Sequence, residues 1–155
     1  MDAAVLHLAH QVAFGGIAAA GFAVLFNVGP RTLMWCMGAG ALALMVRTLG
    51  QDAGWSLEAA SFIAAIAASC AAWAFRRFLG TASNAVALAG CIPMVPGAFM
   101  SQAILGLLAV TAPNPANELA TIVFAMEYTL RVAFTLGAIG AGLAIPTHLL
   151  KNRDF

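Results

Sequence analysis

The sequence predicts an all-α integral membrane protein of about five transmembrane helices, the fourth broken by a Pro-x-x-Pro-Gly motif. Three observations predict it. Hydrophobic residues make up 63% of the 155 positions and charged residues only 8%, with a mean hydropathy of +0.94. Soluble domains need about a quarter of their residues charged to cover their surface; seven basic and six acidic side chains do not suffice here. The apolar residues also fall into runs near or above the ~20 residues that cross ~30 Å of hydrocarbon at 1.5 Å per residue.

The first span covers about residues 5–26 and closes at Asn27-Val28-Gly29-Pro30-Arg31. The opening Met1-Asp2-Ala3-Ala4 lacks a basic region, and the apolar run is too long for a signal peptide, so the segment reads as a retained span. The second, about 32–49, carries Arg47 near its end and spans if that guanidinium snorkels to the interface. The third covers about 57–75 and stops at Arg76-Arg77. The fourth, about 82–110, precedes the loop Ala112-Pro113-Asn114-Pro115-Ala116-Asn117. The fifth, about 121–145, ends at Pro146 before a polar tail. Together they read as one transmembrane domain over 1–155.

With five spans, Arg31, Arg76, Arg77, Lys151 and Arg153 share one side; Asp2, Arg47, Asp52, Glu58 and Glu118 share the other. The positive-inside rule then puts the N-terminus outside and the C-terminus in the cytoplasm. Dropping the second span moves only the N-terminus. A net charge of +1 and no basic patch exclude nucleic acid as a partner. Cys36, Cys70 and Cys91 stand singly in apolar stretches and read as packing residues, not as a disulfide framework or metal site. His7 and His10 share a face of the first span, too few ligands for a metal. Trp35, Trp55 and Trp73 sit near span ends, as an aromatic belt does. Gly15, Gly16, Gly38, Gly40, Gly137, Gly140 and Gly142 lie within spans. They read either as close helix contacts or as compositional bias.

The feature with most chemistry is Ala89-Gly90-Cys91-Ile92-Pro93-Met94-Val95-Pro96-Gly97. Two prolines three apart remove two amide donors and free the carbonyls near Ala89 and Ile92. Gly97 permits a change of direction. Non-helical backbone at membrane depth survives only when buried in protein or lining a cavity. The amides after Pro96, around Gly97 and Ala98, would open a second half-helix suited to a carboxylate, as in transporters with discontinuous helices. The plainer alternative is a proline kink that aids packing. Ser101 and Gln102 follow the break, facing a substrate or bonding a neighbouring helix.

Glu127 and Arg131, four apart on the fifth span, have the favourable order for a helical ion pair. Thr135, Ala138 and Gly142 continue that face towards the bundle. Ionisable groups at such depth mark a pathway or proton relay, or else a self-neutralised structural pair. The chain shows no Gly-x-x-x-x-Gly-Lys-Ser/Thr phosphate loop and no nucleophile, base and orienting group at catalytic spacing. Neither an enzyme nor a cofactor is expected.

Three blocks resemble the threonine/serine exporter (ThrE) family. Gly21-Phe22-Ala23-Val24-Leu25-Phe26-Asn27-Val28-Gly29-Pro30-Arg31-Thr32-Leu33, with Trp35-Cys36 following, resembles its first loop. Ile92-Pro93-Met94-Val95-Pro96-Gly97 resembles its central proline motif, and Gly142-Leu143-Ala144-Ile145-Pro146 its closing segment. Length and span layout are similar to the family's small YjjB-like subunit, the C-terminal-type module. Where the family often has Asn-Val-Pro, this chain has Asn27-Val28-Gly29 with Pro30 one place later. Glu127 and Arg131 are not part of the family pattern.

The resemblance implies export of small polar metabolites across the bacterial inner membrane. Fused members resemble threonine/serine exporters; split members pair a YjjP-like subunit with a YjjB-like one and are associated with export of succinate and related dicarboxylates. The implied partners are a YjjP-like subunit or further copies of this chain, the lipid bilayer, and an anionic or zwitterionic small molecule. On the exporter reading Pro93, Pro96, Gly97 and Ala98 form the substrate site, with the half-helix amides there holding a carboxylate, and Asn27 and Arg31 flank the cytoplasmic entrance. The resemblance lends no role to Glu127 and Arg131, and a coupling proton on Glu127 beside Arg131 rests on their depth in the fifth span alone. The rival reading is a non-transporting membrane subunit that stabilises or regulates a partner transporter.

Overall fold

The computed structural model describes residues 3–76, 83–111 and 118–151. All of their regular structure is helical: α1 (Ala3–Leu25), α2 (Pro30–Asp52), α3 (Leu57–Ala74), α4 (Ser83–Cys91) with a 3-10 turn (Ile92–Met94), α5 (Gly97–Val110) and α6 (Glu118–Lys151). Among the described residues, α1, α2, α3 and α6 are each long and apolar enough to cross a membrane. The broken pair of α4 with its 3-10 turn and α5 makes a fifth if counted as one span. The expected all-α membrane architecture is therefore what the chain adopts. Arg77 and Arg153 lie outside the described residues, as does the loop 112–117.

Local chemistry sets the helix ends. Asn27 has φ 56°. Val28 N donates to Ala23 O at 2.9 Å and Asn27 N to Val24 O at 3.0 Å. This is a Schellman stop, and asparagine is the residue after glycine that best tolerates its left-handed position. Pro30 then opens α2, where a missing amide costs nothing. A second such stop ends α2: Gly54 has φ 85°, and Trp55 N donates to Gly50 O at 3.0 Å. Ser56 caps α3 by accepting from Ala59 N at 3.2 Å.

The described chain forms two compact units: residues up to Met94 together with those from Ala138 onward, and Val95–Gly137. The first unit is built inside-out relative to a soluble core. Its interior is Ala19, Ala43, Ala60, Ala64, Ala65, Ala68 and Cys36, all fully buried, while Phe14, Ile17 and Met34 are exposed. Small residues inside and large apolar ones outside is the packing lipid favours, since helices there gain by close approach. A β-carbon on Gly40 would come within 2.6 Å of Gly15 O, and one on Gly90 within 2.9 Å of Ala39 C. Gly142 approaches α3 similarly: a β-carbon on it would lie 2.7 Å from Phe62 O. Gly38 and Gly140 have nothing within 4 Å of that position, so contact explains some glycines and not others.

Trp35 and Phe75 stack with ring centroids 5.1 Å apart, which brings the Arg31 end of α2 to the Arg76 end of α3. The final helix departs from expectation: it continues through Pro146 to Lys151. Leu143 O, one turn before, accepts from Ser69 Oγ of α3 at 3.1 Å and from Thr147 Oγ1 at 3.0 Å. Pro146 itself leaves Gly142 O, four residues back, without its amide; the two hydroxyls bind the neighbouring carbonyl, and Ser69 ties this turn to α3.

In the second unit α5 meets the first part of α6 where a β-carbon on Gly106 would lie 3.0 Å from Ala125 Cα. Tyr128 stacks against Phe99 and Phe124, at 5.7 and 4.5 Å.

Candidate substrate site at the helix break

The break begins at Ile92, where α4 tightens into a 3-10 turn that ends at the fully buried Met94. Pro96, with φ −80° and ψ 67°, caps α5. Gly97 N donates back to Val95 O at 2.8 Å and Met100 N to Pro96 O at 2.9 Å. A continuous helix would give Met94 O to the amide of Ala98. Here that carbonyl instead accepts from Arg47 Nη1 at 2.8 Å.

Arg47 thus departs from the expected snorkelling. Its side chain turns into the first unit, and its Nε is buried with no hydrogen-bond partner. No described carboxylate pairs with it. A guanidinium has five donors, so this one keeps unspent capacity beside a cavity of about 170 Å³ lined by His7, Gln11, Leu44, Arg47, Thr48, Gln51 and Pro93. Thr48 is buried, and Gln11 Nε2 stands 3.5 Å from His7 Nε2. The cavity opens to the surface of the unit between the exposed His7 and Gln51; its polar lining suits a polar occupant, and its one charged wall favours an anion.

The structure brings only some of the sequence-predicted residues together. Pro93 lines this cavity. Asn27 and Arg31 do not reach it: Arg31 and Arg47 are separated by about 24 Å along α2, and both Asn27 and Arg31 are exposed. Pro96, Gly97 and Ala98 open α5 in the second unit, where the first-turn amides have no intrahelical acceptor. Ser101 Oγ bonds Ala98 O in that same turn at 2.9 Å. Glu127 and Arg131 do pair, Oε1 to Nε 3.2 Å, both about half exposed, with the guanidinium 5.9 Å from the Phe99 ring. Thr135, on their supposed face, is fully buried and donates to Arg131 O at 2.7 Å. Arg47, His7, Gln11, Thr48 and Gln51 were not anticipated as a group.

Helices long and apolar enough to span a membrane, packed through small residues and interrupted at Pro93–Pro96, define the class: a multi-pass membrane protein. The family described as Threonine/Serine exporter, ThrE, matches residues 11–149. The chain belongs to that family, and its role is exporter-type transport. No solved structure matches it.

Proposed function

We propose that this chain is the smaller, YjjB-like subunit of a two-component secondary exporter in the bacterial inner membrane. It works with a YjjP-like subunit and moves small carboxylates or amino acids, a succinate-like dicarboxylate or threonine and serine. The observation that carries the reading is the interrupted helix at Pro93–Pro96 in a chain of this family. Backbone groups released at membrane depth recognise carboxylates and ions in transporters of broken-helix design. The first turn of α5, which Pro96 caps and Gly97 opens, offers its free amides to the substrate, Ala98 N foremost because Gly97 N already donates to Val95 O. Arg31, at the basic end it shares with Arg76, draws anions toward the cytoplasmic entrance beside Asn27. Glu127, held by Arg131, supplies a carboxyl for coupling to a proton. The N-terminus lies outside and the C-terminus in the cytoplasm.

The test is efflux of labelled succinate, threonine and serine from cells lacking their own exporters, with this chain expressed alone and with its YjjP-type genomic neighbour. Efflux only with both subunits supports the two-component exporter and names its substrate. Efflux with this chain alone replaces it with a homo-oligomer. No efflux from either, with both proteins inserted, leaves a subunit that stabilises or regulates another transporter.

A further inference from the structure

We infer that the cavity between α1, α2 and the 3-10 turn is itself a carboxylate site, and that Arg47 exchanges the Met94 carbonyl for the carboxylate when it fills. This deepens the exporter reading and rests on it for the identity of the ligand.

Four observations converge. Arg47 is turned inward without a counter-ion. Its Nε is buried and unbonded. Its one described bond goes to a backbone carbonyl that helix geometry has released. Finally, Gln11, Gln51, Thr48 and His7 line the same space, supplying amide, hydroxyl and imidazole groups and no acid. A half-buried guanidinium whose Nε is buried and unbonded is an incomplete arrangement, because taking part of a charge out of water is unfavourable unless a partner restores its bonding. A carbonyl dipole repays part of that cost. A carboxylate repays more, accepting two parallel bonds from the guanidinium fork.

Size agrees. A cavity of about 170 Å³ holds about six waters at roughly 30 Å³ each, or one small organic acid. Gln11 and Gln51 stand on different helices and can reach the far end of such a molecule, a second carboxylate or an ammonium-bearing carbon. A small carboxylate is therefore preferred over a bare inorganic anion.

The exchange has a mechanical consequence. While Arg47 holds Met94 O, α2 is tied to the end of the 3-10 turn. Once the guanidinium turns to a carboxylate, the tie is released at the point where the helix is broken. Ligand occupancy and the geometry of the break are then linked.

The test uses the full chain in phosphatidylcholine nanodiscs, which contain no anionic lipid, with thermal stability and equilibrium binding of succinate and of threonine as readouts. Wild-type protein should be stabilised by at least one of them, and less by sulfate at the same concentration. Arg47→Gln should weaken binding about tenfold or more, the loss expected for a charge-assisted hydrogen bond, with Arg47→Lys intermediate. Gln51→Glu should remove the response by placing a carboxylate inside the cavity. It deletes no described contact, so it carries the test if Arg47→Gln does not fold. Wild-type protein unmoved by either ligand, or a Gln51→Glu protein that responds like wild type, overturns the inference. Binding that behaves as expected without any efflux in cells would overturn the exporter reading and leave the site standing. Efflux with no binding at this cavity does the reverse.

Discussion

Arg47 and Met94, forty-seven residues apart, are joined by a 2.8 Å hydrogen bond from Nη1 to the main-chain oxygen. The bond links the only charge in the interior of α2 to a carbonyl at the end of the 3-10 turn, where the helix stops before its usual partner, Ala98 N. Each explains the other: the arginine is tolerated among alanines because it has an acceptor, and the acceptor exists because the helix stops.

The first prediction concerns that interruption. Replacing both Pro93 and Pro96 with alanine restores two amide donors and removes the ring clashes that stop the helix. The segment 83–110 should then become more continuous, and Met94 O should return to a helical partner. Export should be abolished while the protein remains inserted, as measured by labelled-substrate efflux beside membrane fractionation. Full transport by the inserted double variant would remove the broken helix from the mechanism.

A second prediction separates backbone from side chain at Asn27. Its φ of 56° is a conformation that costs most residues about 1 kcal/mol and β-branched ones more. Asn27→Gly should therefore match the wild-type unfolding temperature in detergent, whereas Asn27→Val should fall by roughly 1–2 kcal/mol. Equal stability of the two variants would mean that the turn does not depend on that conformation.

These two positions show what could be read from sequence. Composition and run length were enough for the all-helical membrane fold, since neither depends on which faces meet. Pro-x-x-Pro-Gly located the break because proline acts on its own backbone. Asn27-Val28-Gly29-Pro30 located the first turn for the same reason, although its left-handed asparagine appears only in the structure. The bond from Arg47 to Met94 O was not legible, because a snorkelling arginine and one turned to a neighbouring helix leave the same mark in sequence. One signal did exist. Gln11 and Arg47 lie roughly equally far along the chain from the Asn27–Gly29 turn, as do His7 and Gln51. In a tight antiparallel hairpin, residues so placed face one another. Pro146 misled in the opposite sense, because the turn around it is tied to Ser69 of a distant helix, a contact that local sequence does not reveal.

That contact supplies a third prediction. Ser69→Ala removes the hydroxyl bound to Leu143 O and should lower stability by about 0.6 kcal/mol, the average for interhelical hydrogen bonds in a membrane protein. With Pro146→Ala as background, Gly142 O regains its amide and the turn that carries Leu143 is held by its own helical bonds, so the same change should cost less. A double-mutant cycle on thermal unfolding measures the coupling between the two sites. Strictly additive effects would show that the hydroxyl does not act through the proline.

The last prediction turns on two glycines two residues apart in α2. A β-carbon on Gly40 would meet Gly15 O at 2.6 Å. That is backbone, which cannot swing aside, so Gly40→Ala must push α1 and α2 apart or distort one of them. The expected cost is about 1–3 kcal/mol, as for overpacking a tight interface. Gly38 faces open space, with nothing within 4 Å of the same position. Gly38→Ala should instead be neutral or stabilising by up to about 1 kcal/mol, because alanine is the better helix former. Spreading α1 from α2 also widens the walls that carry Gln11 and Arg47. Gly40→Ala should therefore weaken succinate or threonine binding in nanodiscs, and Gly38→Ala should leave it unchanged. Unfolding temperature and binding measured on both variants check this together. Two variants that behave alike would mean that the glycines of α2 reflect composition and not the closeness of the hairpin.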